Sequence, residues 1–349
     1  MKNWKLLSVI FASLLLVLAA CSSGNSAESD TSNAEKTPTE ETTGTETAND
    51  GEGPSYPLTV SPTVSELAGE DGAAATIFDD VTLEKMPEKI VVFDYGFLDT
   101  LDALGVEGIV GVPQDSTLPE HLSKYANEEY SNVGGLKSPL LEDIAELQPD
   151  VIFISGRQST FYEQLKEITP NVVYIGTDQN DYWNTFLASV DVAAQIFGKE
   201  AEAKEHVAEI ESAIEDVKAL SSQYDHSLVT MYNEGKLSGF AKNSRYGYIY
   251  DIYGFTPVTE DIESSSHGSD FGFEAILEFN PQVLFVIDRT AAVGGESNIS
   301  TDMENDIIKE TDAYKNNKIV YLDGPLWYVG GGGLQSELAK IQEIINELK

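Results

Sequence analysis

One spacing occurs twice in this chain. Glu142-Asp143-Ile144-Ala145-Glu146-Leu147-Gln148-Pro149 precedes the apolar run Val151-Ile152-Phe153-Ile154 and then Arg157. Glu274-Ala275-Ile276-Leu277-Glu278-Phe279-Asn280-Pro281 precedes Val283-Leu284-Phe285-Val286 and then Arg289. Glu to Pro is seven residues and Pro to Arg is eight in both copies. Coincidence rarely matches a helix, a proline, a buried strand and a terminal arginine together, so the repeat predicts two related lobes with a cleft between them. Each Arg lies just past the carboxyl end of a strand, the edge at which open α/β sheets bind ligands.

The pattern around the repeat agrees. Lys89-Ile90-Val91-Val92-Phe93 reads as a buried strand, residues 98–104 as the following helix with Gly105 at its C-terminal cap, and residues 109–112 as the next strand. This alternation runs to Ile175 and predicts an α/β lobe with a largely parallel sheet. Residues 183–224 read as helix without strand, with Val207, Ile210, Ile214 and Val217 at helical spacing. A second set of strands and helices starts at Ser227.

The expected fold class is therefore α/β: two Rossmann-like lobes with central, mostly parallel sheets, joined by a long spine helix. The expected boundaries are an N-terminal lobe at 56–190, a helical linker at 191–223 and a C-terminal lobe at 224–349. A length of 349 residues suits two lobes better than one core. Residues 59–78 alternate apolar and polar around Asp71-Gly72, which predicts a hairpin.

The N-terminus sets the expected compartment. Lys2 and Lys5 precede an apolar run at 6–18, of signal-peptide length and short for a membrane span. Leu18-Ala19-Ala20-Cys21 then resembles a bacterial lipobox. Cys21 is the sole cysteine, so it makes no intramolecular disulfide and no cysteine metal cluster, and lipidation is its expected use. Residues 1–20 read as signal peptide and 21–55 as the lipidated Cys with a flexible acidic tether, since 22–55 lack branched aliphatic and aromatic side chains. The expected location is the extracellular face of the cytoplasmic membrane, in a Gram-positive cell.

Net charge is −38, and no Lys- or Arg-rich run appears, which excludes a nucleic-acid partner. Against this acidic background the chain has 21 basic residues, of which only Arg157, Arg245 and Arg289 are arginine. All three follow strand-like segments. Guanidinium stays charged, offers five fixed donors and is weakly hydrated, so it suits a partly desolvated site for a multiply charged, oxygen-rich anion. A single Arg reads best as an ion-pair partner; the set of three reads as an anion site. Around Arg245, Gly235-Lys236-Leu237-Ser238-Gly239-Phe240-Ala241-Lys242-Asn243-Ser244-Arg245-Tyr246-Gly247 supplies small residues that let a ligand approach the backbone.

That segment resembles the corresponding part of catecholate-siderophore-binding lipoproteins, especially the petrobactin-binding type, within the class III solute-binding proteins of ABC importers. The resemblance extends over nearly all of residues 85–349, including Val92-Phe93-Asp94-Tyr95-Gly96, Ile154-Ser155-Gly156-Arg157-Gln158, Ser264-Ser265-Ser266-His267-Gly268 and Val286-Ile287-Asp288-Arg289. It implies that Arg157, Arg245 and Arg289 face a ferric catecholate. It further implies that His267 and Tyr328 supply iron ligands when a tetradentate siderophore leaves two positions open, with Trp327 beside Tyr328 lining the pocket. Glu142 and Glu274 match the acids with which such proteins dock on a two-subunit permease; each is equally a helix N-terminal acid favoured by the dipole.

The cargo is then a ferric siderophore, with no cofactor of the protein's own, and a monomer is expected. Haem or a hydroxamate siderophore is the alternative cargo for the same architecture, although a neutral hydroxamate complex gives no reason for three positive charges, and bare metal is disfavoured because the arginines repel a cation. A surface adhesin would need only the tether. No Gly-x-Ser-x-Gly elbow, His-Glu-x-x-His helix or Cys/His cluster is present, so the chain is not expected to be an enzyme. Gly330-Gly331-Gly332-Gly333 lacks the Lys-Ser/Thr of a phosphate loop and reads as a loop entering the last helix.

Overall fold

Strand β1 (Ile90–Val92) shows how the sequence builds the first layer. Its residues alternate between two cores: Ile90 and Val92 face one cluster, Val91 and Phe93 the other. Val151 and Phe153 against Ile152 and Ile154 repeat that alternation one strand over. A continuous β-branched run is thus what a strand covered on both faces requires. The computed structural model describes residues 53–69, 74–260, 262 and 267–349. The expected signal peptide at 1–20, Cys21, the expected tether up to residue 52, the expected turn at Asp71-Gly72 and Ser264-Ser265-Ser266 lie outside the described residues.

The N-terminal sheet contains β1, β2 (Ile109–Val112), β3 (Ser131–Asn132), β4 (Val151–Ile154) and β5 (Val172–Tyr174), in the order β5-β4-β1-β2-β3 and parallel throughout. The C-terminal sheet contains β6 (Ser227–Asn233), β7 (Lys236–Phe240), β8 (Ser269–Phe271), β9 (Val283–Asp288) and β10 (Ile319–Leu322), in the order β8-β7-β6-β9-β10. Here β6, β9 and β10 are parallel while β6–β7 and β7–β8 are antiparallel. Two short antiparallel pairs precede both sheets: Leu58–Val60 with Val81–Leu83, and Glu66–Leu67 with Thr76–Ile77, the latter flanking the expected hairpin turn.

Helix α1 (Tyr95–Ala103) starts on Asp94, whose carboxylate accepts the Phe97 N–H at 2.9 Å, and Gly105 follows its end at φ 65°. The repeat extends to backbone conformation. Helices α2 (Leu141–Leu147) and α3 (Tyr162–Ile168) flank β4, and the counterpart of α2 in the second lobe is Phe273–Phe279. Both repeat helices end on a left-handed non-glycine residue directly before proline, Gln148 at φ 51° and Asn280 at φ 45°.

The helical stretch between the lobes is two helices. Gly198, left-handed at φ 64°, closes α4 (Tyr182–Phe197), and α5 (Glu200–Ser221) follows. The anticipated linker start at 191 falls inside α4, because strong helix formers continue on both sides of Gly198 and the pattern reads as one helical stretch. Ile210, Ile214 and Val217 are buried along α5 as their spacing predicts. Helix α6 (Leu334–Leu348) packs along α5, and one core cluster runs unbroken from Ile90 and Phe153 through α4 and α5 to Phe285 and Ile344. The lobes therefore share a core.

Hydrogen bonds also tie the lobes together. The buried Asp99 carboxylate of α1 accepts the N–H groups of Gln335 and Ser336 at 2.8 and 2.6 Å, so the N-terminus of α6 is capped from the other lobe. One turn on, Glu337 and Lys340 form a fully buried ion pair at 2.8 Å, with Tyr182 and Tyr253 also donating to Glu337 and Lys340 donating to the Gly331 carbonyl. The glycine run crosses the first turn of α1 at backbone contact. A Cβ on Gly96 would lie 2.5 Å from the Gly332 oxygen, and one on Gly333 would lie 2.3 Å from the Gly96 oxygen. Glycine is required there for close approach, consistent with a loop that enters the last helix.

Candidate functional site

Each arginine is carried by a turn that follows a strand. Arg157 follows β4 in a 3₁₀ turn, Gly156–Phe161, held by the Ser155 N–H donating to Gln158 Oε1 at 3.0 Å. Arg289 follows β9 in a short helix capped by Asp288, whose Oδ1 accepts the Ala291 N–H at 3.1 Å. Arg245 sits in the turn beyond β7, closed by the Gly247 N–H on the Ser244 carbonyl at 2.9 Å. A Cβ on Gly247 would fall 1.4 Å from the Lys242 oxygen, so only glycine closes that turn.

The three guanidinium groups converge on one residue. Arg157 Nη2 donates to the Tyr328 carbonyl at 2.8 Å, and Arg245 Nη2 donates to the same oxygen. Arg289 Nε donates to the Tyr328 hydroxyl at 2.8 Å, and its Nη1 donates to Asn233 Oδ1 at 2.7 Å. The Arg245 and Arg289 guanidiniums stand 4.4 and 5.3 Å from the Tyr328 ring centroid. Tyr328 lies in a single π turn, Pro325–Val329, after β10, with the Gly330 N–H on the Pro325 carbonyl at 2.9 Å.

Electrostatics make this cluster unusual. Among the described residues, no carboxylate is ion-paired with any of the three arginines. Burial, and then the Arg245 charge, hold the Arg157 guanidinium below its ordinary value. Burial alone would push the Tyr328 phenol up, but the Arg289 hydrogen bond and the charges of all three arginines outweigh it and hold the phenol below its ordinary value. A half-buried concentration of positive charge and fixed donors, straddling two lobes, is matched to an anion rich in oxygen. A shallow groove of about 720 Å³ between α2 and α3, lined by Leu141, Gln148 and Glu167 among others, carries none of this chemistry.

The other expected site residues are placed as follows. Trp327 does not line the cleft: it is 2% exposed, stacks on Tyr248 with centroids 6.2 Å apart, and donates its indole N–H to Glu343. The tight π turn sends neighbouring side chains in opposite directions, Trp327 into the shared core and Tyr328 to the arginines. His267 is exposed, directly before edge strand β8. Glu142 and Glu274 are exposed in the first turns of the two repeat helices, one on each lobe. Sequence reasoning missed Asn233, which orients Arg289. Its signal was position, since it ends β6, the strand beside the one that leads to Arg289.

Comparison with known proteins gives this geometry a context. The model of the family described as periplasmic binding protein matches residues 90–326. The chain is 42% identical over 266 residues to the petrobactin-binding protein YclQ of Bacillus subtilis (strain 168), across 76% of this chain and 84% of YclQ. The crystal structure of YclQ matches with a TM-score of 0.75 at 40% identity, covering 78% of this chain and 95% of that one. The ferric-anguibactin-binding protein FatB of Vibrio anguillarum is 32% identical over 75% of this chain and 83% of its own. The periplasmic catecholate-siderophore binding protein VctP from Vibrio cholerae matches with a TM-score of 0.69 at 31% identity, covering 75% of this chain and 96% of VctP.

Proposed function

Because the chain belongs to the periplasmic binding protein family, we propose that it is the substrate-binding lipoprotein of an ABC importer and captures a ferric catecholate-type siderophore, petrobactin-like or bis-catecholate. The fold is that of the class III binding proteins, two α/β lobes with mostly parallel central sheets. One observation carries the reading of the cargo: three guanidiniums meet at Tyr328 and, among the described residues, no carboxylate is paired with them. The names of YclQ and VctP support it, since both are described as binding siderophores of this kind.

Arg157 reaches the cargo from the first lobe, Arg245 and Arg289 from the second. The Tyr328 carbonyl accepts from Arg157 and Arg245 and its hydroxyl from Arg289, and the anionic oxygens of the cargo engage these guanidiniums. Charge-assisted contacts of this kind contribute roughly 1.5–3 kcal/mol each. With a tetradentate siderophore, Tyr328 and His267 complete the iron shell; a phenol held low by its neighbours loses its proton to Fe(III) more readily. The shared core and the cross-lobe cap of α6 limit closure to a small hinge motion. Glu142 and Glu274 dock on the permease, and lipidation of Cys21 holds the protein on the outer face of the cytoplasmic membrane. The protein performs no catalysis of its own.

The test is a fluorescence titration of the protein with ferric petrobactin, a ferric hydroxamate and haem. Tightest binding of the catecholate is the expected result. Tightest binding of the hydroxamate, whose complex has no matching negative charge, would overturn the assignment; tightest binding of haem would shift it to the two-propionate ligand.

A further inference from the structure

Beside the arginine cluster lies a hydroxyl with no partner in the protein. Tyr246 is 1% exposed, and among the described residues its Oη is the fully buried side-chain oxygen that makes no hydrogen bond. Two buried tyrosines close by in sequence show the ordinary arrangement. Tyr250 Oη accepts the Val229 N–H at 2.9 Å and donates to the Phe240 carbonyl at 3.2 Å, and Tyr253 Oη donates to Glu337 at 3.2 Å. Leaving a buried hydroxyl unpaired is unfavourable, and such groups call for an explanation.

Its position supplies one. The Arg245 guanidinium stands 5.4 Å from the Tyr246 ring centroid. Arg245 shares the Tyr328 carbonyl with Arg157 of the other lobe, so the Tyr246 ring borders the place where arginines of both lobes meet. The ring packs edge-on against Phe240 at 4.8 Å, and the turn that carries it is closed by Gly247. Burial holds this phenol above its ordinary value, so it keeps its proton. Tyr328, whose ring the same arginine also faces, is shifted the other way.

Building on the catecholate reading, we propose that Tyr246 is a specificity-determining residue whose hydroxyl is a fourth donor of the anion site, paired in the loaded protein with an anionic oxygen of the cargo. Guanidiniums respond to net charge, whereas one fixed O–H selects a ligand with an oxygen at that place. An O–H donor to a charged oxygen is about twice as strong as a neutral pair. The donor is unpaired before loading, so the bond is realised only in the complex.

The experiment compares wild type, Tyr246→Phe and Tyr250→Phe of the full chain, each titrated with ferric petrobactin and melted without ligand. Tyr246→Phe should bind about tenfold or more weakly while its melting temperature stays level or rises, because an unpaired buried oxygen is gone. Tyr250→Phe should melt lower, having stranded the Val229 N–H, with affinity within about twofold of wild type. If wild type binds ferric petrobactin and Tyr246→Phe binds it equally well, the hydroxyl meets only water and the inference fails alone. It also fails if Tyr246→Phe melts as low as Tyr250→Phe, since the hydroxyl is then bonded before loading. If wild type binds no ferric catecholate, the functional reading falls and this inference with it.

Discussion

The two lobes have the same core and contribute unequally to the site. Both contain a repeat helix, a left-handed residue before proline, a buried strand and an arginine beyond its end. Beside β1 the first lobe adds β2 in parallel, reached through α1. At the equivalent edge the second lobe adds β7 antiparallel, through a tight turn at Glu234 and Gly235, at φ 50° and 82°. That hairpin is the source of Arg245 and Tyr246. Among the described residues of the arginine cluster, the second lobe holds Arg245, Arg289, Asn233 and Tyr328 and the first holds Arg157. The repeat accounts for the matched pair Arg157 and Arg289, and the change of strand direction accounts for Arg245.

That contrast can be broken at several levels. Replacing Arg157, Arg245 and Arg289 together by Gln should weaken ferric petrobactin binding at least about a thousandfold, from three contacts of roughly 1.5 kcal/mol or more, with an unchanged circular-dichroism spectrum. A smaller loss would place the binding energy elsewhere. Lys340→Met leaves Glu337 buried without its cation and should destabilise the protein by about 3–5 kcal/mol in urea unfolding; if stability is unchanged, the junction of the lobes is not held by that pair.

Single substitutions sharpen the comparison. Arg245→Gln should weaken binding by about 10- to 100-fold, and more than Arg157→Gln, since Arg245 also stacks on Tyr328. The reverse order in calorimetric titration would make the first lobe dominant. Asp99→Ala removes the cap of α6 from across the cleft and should cost about 1–2 kcal/mol of unfolding free energy, read from thermal melts, with little change in affinity if the cap serves only the junction.

The smallest expected effect is in pH. The Tyr328 phenol is depressed in the folded state, so its contribution to stability is fully present above the ordinary tyrosine value of about 10 and is lost as pH falls through the depressed value. Wild type should therefore gain stability relative to Tyr328→Phe as pH rises through that window. In an ultraviolet titration, Tyr328→Phe should lack the earliest phenolate signal.

Much of this architecture is legible in the sequence because it rests on short-range periodicity. Val151-Ile152-Phe153-Ile154 announces a strand buried on both faces, and Ile210, Ile214 and Val217 announce the inward face of a helix. The break at Gly198 is not legible there, because helix-forming residues continue on both sides of it: Ala193, Ala194 and Ile196 before, Glu200 to Lys204 after. Three arginines among so many acids also stand out in the sequence as an anion-binding set, because each guanidinium carries the same fixed fork of donors.

Other features arise only when distant segments meet. Trp327 and Tyr328 are neighbours in the chain, yet one enters the core and the other receives three arginines, a choice made by the π turn at the lobe junction. Asp99 caps a helix more than two hundred residues away, and the Tyr246 hydroxyl is unpaired because of what surrounds it. Residue type and spacing determine which elements form and which chemistry is available, since those follow from interactions a few residues apart. Which side chains share a cleft, and which are left without a partner, depends on strand order and on packing between lobes, and only the tertiary structure decides it.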